Sequence, residues 1–215
     1  MQSIQYTLHS NTAIIQIPIG FLELIPYSDS IIRVRYAPTQ VFSTKKSLMV
    51  ESAPSPSAAI QVNETAEAIV FSTTKLSIQV NKQTGAFTYL DHSGQILTKE
   101  PDRGGKTLIP TDVIKSVFDD SVKAQIRQDA DGVHAYAPSV KQVVDRQAFH
   151  TKLEFEWMPD EALYGLGSHE EGMMNLRGQH QYLYQENMKV VVPALLSTRG
   201  YGILIDSYSL MKFHD

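Results

Sequence analysis

Apolar and polar residues alternate along most of this chain, the period that sends successive side chains to opposite faces of a strand. Ile15, Ile17 and Ile19 share one face of a short run. In the next run Ile32, Val34 and Tyr36 stand opposite Ile31, Arg33 and Arg35, so one side is apolar and the other largely cationic. Residues 68–73 and 76–80 are β-branched runs and predict two more strands. Consecutive hairpins follow. Gly85 fits a turn between 77–80 and 86–90, and Asp91-His92-Ser93-Gly94 fits the turn before 95–98. Further strands are predicted over 122–127, 151–157, 181–185, 194–197 and 201–205. The segments SAPSPSAA (52–59) and EPDRGG (100–105) read as surface loops. Over 139–148, Val140, Val143, Val144 and Ala148 recur at helical spacing, which leaves that segment open to a short helix or a strand. Many short strands without alternating helices predict an all-β sandwich or barrel rather than a parallel α/β sheet.

Composition narrows the chemistry. A chain of 215 residues, 42% hydrophobic and 20% charged, is ordinary for a globular protein and long enough to bury a core without covalent staples. It contains no cysteine, which excludes disulfides, thiol nucleophiles, iron–sulfur clusters and Cys-containing zinc sites. The net charge of −4 argues against a nucleic-acid partner. No apolar run approaches the length that crosses a bilayer, so no membrane partner is expected. The opening MQSIQYTLHSNTA has neither a basic nor an apolar signal region, and a cytoplasmic location is the expectation.

Several motifs are set aside. Gly104-Gly105-Lys106-Thr107 resembles the end of a phosphate-binding loop, but Glu100 stands where that loop needs its first glycine. Carboxylates gather at Glu154, Glu156, Asp160, Glu161, Glu170 and Glu171. Glu154 and Glu156 lie two apart on a predicted strand, opposite Leu153, Phe155 and Trp157, and read as a solvated face. His169 and His180 are too few and too scattered for a metal site and read as polar loop residues. The segment 162–205 is different. Gly165 and Gly167 bracket Leu166, allowing tight backbone turns directly after a strand. Gly172, Asn175, Arg177 and Gly178 then suggest an ordered loop rich in hydrogen-bonding groups, serving either a ligand or the loop itself.

The block YGLGSHEEGMMNLRG, followed by LYQENMK, VVPALLSTRGYGILID and FHD, closely resembles the amino-terminal region of glycoside hydrolase family 31, which includes α-glucosidases and α-xylosidases. KLSIQVNKQTGAFTYLDHSGQILTKE looks like the hairpin pair of the same family, and the stretch from DGVHAYAP to DRQAFHTKLEFEW matches a weaker pattern between them.

The resemblance implies a β-sandwich of the galactose-mutarotase-like type, with at most short helical segments, preceding a catalytic (β/α)8 barrel of the same polypeptide. It also implies that the two catalytic aspartates belong to that barrel, so the present residues 1–215 are expected to form a single noncatalytic amino-terminal domain. On this pattern the domain stops short of its last strand or two, and the exposed sheet edge would favour a homodimer. The implied parent is a retaining hydrolase of α-linked oligosaccharides or glycosides, needing no cofactor and no metal. In the family a sandwich loop reaches the barrel pocket. The matching residues are His169, Glu170, Asn175 and Arg177, which have the hydrogen-bonding groups that sugar hydroxyls need. Ser168 departs from the Glu or Gln that relatives often carry there. Two other classes stay open: a stand-alone carbohydrate-binding module with an aromatic platform, and a mutarotase-like enzyme using a His and a Glu on a free sugar.

Overall fold

The computed structural model describes residues 4–118, 121, 123–136 and 139–215 and holds no helix among them. Two compact units are present, one made of Met1–Gly105 with Glu154–Asp215, the other of Lys106–Leu153.

The first unit opens with an antiparallel meander: β1 (Gln5–His9), β2 (Thr12–Ile17), β3 (Gly20–Ser28) and β4 (Ile31–Ala37). A second meander follows, of β5 (Gln61–Glu64), β6 (Ala68–Ser72), β7 (Leu76–Asn81), β8 (Phe87–Asp91) and β9 (Ile96–Lys99). Alternation decides what each sheet buries. Ile15, Ile17, Leu22 and Leu24 of the first share one core with Ile69, Phe71, Ile78, Val80 and Phe87 of the second. Each such side chain contributes roughly 1.5–3 kcal/mol by leaving water. Tyr6 meets Phe71 edge-to-face at 5.5 Å across the two sheets. This is the expected sandwich, and its hairpins are where the turn residues put them. Asp91 Oδ1 accepts from Ser93 N at 2.8 Å and Gln95 N at 2.9 Å, tying the β8–β9 turn.

The second unit is a long antiparallel ribbon of β10 (Lys106–Phe118) and β13 (Val140–Leu153), with a hairpin of β11 (Gln125–Asp129) and β12 (Gly132–Tyr136) between them in sequence. The helix allowed over 139–148 does not form. The strand that forms instead pairs with β10 and carries a bulge, because Val113 faces Arg146 while Ile114 faces Val144, leaving Asp145 as an extra residue. The apolar residues that suggested a helix lie on both faces of this strand, Val140 and Val144 on one and Val143 and Ala148 on the other, with the insertion breaking period two between Val143 and Ala148. Lys106 begins β10 rather than a helix, and Gly105 is needed because a Cβ there would meet the Glu154 carbonyl. The strand predicted over 122–127 starts only at Gln125, and Val122 lies outside the described residues.

Returning to the first unit, the strand predicted over 151–157 is cut at Leu153. Beyond it Glu154 N donates to Gly105 O and Glu156 N to Lys99 O, so this stretch follows the loop after β9 with a single bridge. Glu154 pairs with Arg103 at 2.8 Å and Glu156 with Lys99 at 2.9 Å. Phe155 stacks on Trp157 at 5.5 Å. The chain then forms β14 (Leu163–Ser168), β15 (His180–Leu183), β16 (Val190–Ser197), β17 (Gly202–Leu204) and β18 (Met211–His214). Strands β14, β16 and β17 make one sheet, and β15 pairs with β18. A separate core of Leu163, Leu166, Leu176 and Leu183, flanked by Trp157, Leu195, Met211 and Phe213, joins them.

Candidate functional site

The site begins with a break in the β14–β16 ladder. Gly165 faces Leu195 and Gly167 faces Val191, so one residue of β14 spans three of β16. Gly165, Leu166 and Gly167 take φ of 119°, 64° and 100° to do so. A Cβ on Gly165 would overlap the Ala194 carbonyl oxygen. One on Gly167 would overlap the Val190 oxygen and fall 2.8 Å from Val192 N. Only glycine permits this approach, and the sharp turn it allows drives Leu166 into the core.

The loop 168–178 leaves from this bulge. A carbonyl can only accept, so the 2.9 Å contact between His169 Nε2 and Leu166 O places the ring proton on Nε2. Nδ1 of His169 is then an acceptor, buried and without a partner among the described residues. Glu171 takes a hydrogen bond from Gln181 Nε2 at 2.8 Å and lies 3.6 Å from Lys189 Nζ. The Gln181 bond, with smaller help from Lys189, holds its carboxyl below the ordinary glutamate range. Ser168, His169, Glu171, Met173 and Gln181, with the backbone of Gly165 and Gly167, line a concavity of about 280 Å3.

Of the four residues expected here, His169 lines the concavity. Glu170 is exposed beside it. Asn175 Oδ1 accepts from Leu163 N and Arg177 N, both at 3.2 Å, and so ties the loop to β14. Arg177 donates from Nε to Asp215 at 2.8 Å and from Nη1 to the carbonyls of Met158 at 2.9 Å and Glu161 at 2.8 Å. Its guanidinium joins three chain segments. Glu171 and Gln181 escaped sequence reasoning. One signal existed, for Gln181 shares the inward face of β15 with Leu183, and a polar side chain on a buried face needs a partner.

Beneath the loop, the buried Glu161 carboxylate accepts from Ser197 Oγ, Tyr201 OH and, at 2.8 Å, Met158 N. Burial first, and the carboxylate second, push the Tyr201 phenol well above its usual range. No group of three or more His, Asp or Glu suited to a metal ion occurs among the described residues.

The family model of the glycosyl hydrolase 31 N-terminal galactose mutarotase-like domain matches residues 22–213. The chain belongs to that family. An α-xylosidase of Saccharolobus solfataricus is 35% identical over 71 residues, covering 29% of this chain and 10% of that protein. Among solved structures, the family 31 α-xylosidase of Xanthomonas citri is 25% identical with a TM-score of 0.68, covering 98% of this chain and 19% of that one. A soil-metagenome family 31 α-xylosidase complexed with xylose is 20% identical, with a TM-score of 0.68 over 98% of this chain and 29% of its own. A Flavobacterium johnsoniae family 31 dextranase gives 17% and 0.66 over 98% of this chain and 23% of its own. The chain thus spans a tenth to under a third of these proteins.

Among the described residues of this family 31 N-terminal domain, one face of the β14–β16–β17 sheet exposes large apolar side chains. Tyr164 pairs with Leu196, and Leu204 lies on the same face through its pairing with Ala194. These three side chains are 38%, 61% and 48% exposed.

Proposed function

We propose that this chain is the noncatalytic amino-terminal sandwich of a retaining α-glycosidase, docked on the catalytic barrel of the same polypeptide and shaping its substrate pocket through loop 168–178. One observation carries the reading: the chain aligns over 98% of its length with less than a third of each α-xylosidase structure, which leaves most of such an enzyme to other residues. The chemistry of the concavity agrees. Retaining hydrolysis needs two carboxylates about 5–5.5 Å apart, one to attack the anomeric carbon and one to protonate the leaving oxygen. Glu171 is the only carboxylate among the lining residues, and it is already engaged by Gln181 and Lys189. His169 lines the concavity, and a turn of its ring would bring the buried, unpartnered Nδ1 to a sugar hydroxyl as an acceptor. The apolar face of Tyr164, Leu196 and Leu204 suits a permanent intramolecular contact.

Two measurements test this. The chain alone is expected to leave nitrophenyl α-xyloside and α-glucoside intact, while the polypeptide with its barrel cleaves one of them. Leu196→Asp is expected to leave the isolated chain folded yet to separate it from a co-expressed barrel in gel filtration. Hydrolysis by the chain alone, or an undisturbed complex with Leu196→Asp, would overturn the proposal.

A further inference from the structure

On the ribbon of β15 and β18, His180 lies directly opposite His214. Asp215 N donates to Gln179 O just beyond the pair, which makes His180 and His214 a non-hydrogen-bonded pair, the cross-strand position that brings side chains closest. The two rings meet there with centroids 4.7 Å apart and Nδ1 atoms 2.8 Å apart, and both residues are exposed. The contact shows that the two Nδ1 atoms come close enough for both lone pairs to converge on one ion once the bridging proton is displaced.

Two imidazoles favour the ion at the top of the affinity order for nitrogen ligands, which is Cu(II), and Cu(II) and Ni(II) adopt tetragonal sites in which a pair of ligands takes adjacent corners. We propose that His180 and His214 form a two-histidine chelate for a tetragonal divalent ion, Cu(II) ahead of Ni(II), with water completing the coordination.

Binding would require each ring to carry its proton on Nε2 and present the Nδ1 lone pair, and the exposed rings can turn to converge without displacing a packed neighbour. Lys212 and Tyr182 share this face of the ribbon; the Lys212 ammonium sits over the Tyr182 ring, 5.7 Å from its centroid. The nearest carboxylate along the chain, Asp215, is held by Arg177 and Gly178 N and stays outside the coordination. The pair was missed in the sequence because 33 residues separate its members, and only the strand register unites them.

The test uses the untagged 215-residue chain stripped with a chelator, titrated with Cu(II), Ni(II) and Zn(II) by calorimetry and followed by electron paramagnetic resonance. One equivalent of Cu(II) with an axial spectrum and hyperfine coupling to two imidazole nitrogens is expected, with affinity falling in the order Cu(II), Ni(II), Zn(II). His180→Ala and His214→Ala should each weaken Cu(II) binding at least about tenfold, consistent with loss of one ligand. Their circular dichroism should match that of the parent. Cu(II) should also raise the melting temperature of the parent and not of the variants, since the ion would staple two strands. Unchanged Cu(II) affinity in either variant, a spectrum with one nitrogen donor, or a preference for Zn(II) would overturn the assignment.

Discussion

Replacing Gly167 by alanine asks whether the break in β14 is a requirement of the fold or an accident of composition. The residue has φ of 100°, outside the range L side chains favour, and a Cβ there collides with the backbone of β16 at Val190 and Val192. The first effect costs about 1–2 kcal/mol. The second cannot be relieved by a rotamer change, because the obstacle is main chain. β16 must retreat, which weakens about two ladder bonds at about 1 kcal/mol each and loosens the packing of Leu166, whose burial is worth roughly 1.5–3 kcal/mol. Some of these losses overlap, so a total of about 3–5 kcal/mol is expected, a large share of the 5–15 kcal/mol typical of a domain. Gly172 supplies the control. It has φ of 68°, and a Cβ there meets nothing within 4 Å. Gly172→Ala should therefore cost only about 1 kcal/mol, partly offset by reduced freedom of the unfolded chain. Urea unfolding of both variants, read by the fluorescence of Trp157, measures the difference. If Gly167→Ala and Gly172→Ala agree within about 1 kcal/mol, the close approach of β14 to β16 carries no energetic weight and the account of the bulge is wrong.

Three other perturbations address the groups around the loop. Arg177→Ala should destabilise by about 1–3 kcal/mol in urea melts, because Asp215 and the carbonyls of Met158 and Glu161 lose a donor together, and Arg177→Lys should restore only part of this. Glu171 has its folded-state pKa lowered, so its contribution is whole above the unfolded value of about 4.3 and disappears as pH falls through the folded one. Glu171→Gln should accordingly flatten the loss of stability below about pH 4.5, and an acid limb identical to the parent would contradict the Gln181 contact. Tyr201 behaves oppositely: its raised pKa means that stability held below about pH 10 is lost as the pH climbs towards the folded-state value. Tyr201→Phe should remove that alkaline dependence while weakening the protein at neutral pH, since the buried Glu161 carboxylate loses a donor.

How much of this was legible depends on which interactions a residue type can announce. Six of the nine sandwich strands, β2, β4 and β6–β9, announce themselves because a two-residue period maps onto the face each turns inward, whereas β1 and β5 bury no side chain fully and, with β3, were not predicted. Strands β10 and β13 do not announce themselves either, for they expose side chains on both faces and a bulge resets their phase at Asp145. The loop shows the same limit at finer scale. Nothing periodic in Ser168-His169-Glu170-Glu171 distinguishes one glutamate from its neighbour, and Glu170 was the expected ligand group. The distinction comes from Gln181, whose strand does have a period. Its inward position beside Leu183 buries an amide that must find a partner, and the Glu171 carboxylate supplies one at 2.8 Å. Arg177 illustrates the converse. Its side chain suggested ligand binding, yet two of its three acceptors are backbone carbonyls, which every residue possesses and no sequence pattern marks. Polar loop residues thus become readable only through the strands they lean on, and a site built from carbonyl contacts and cross-strand register must be seen folded.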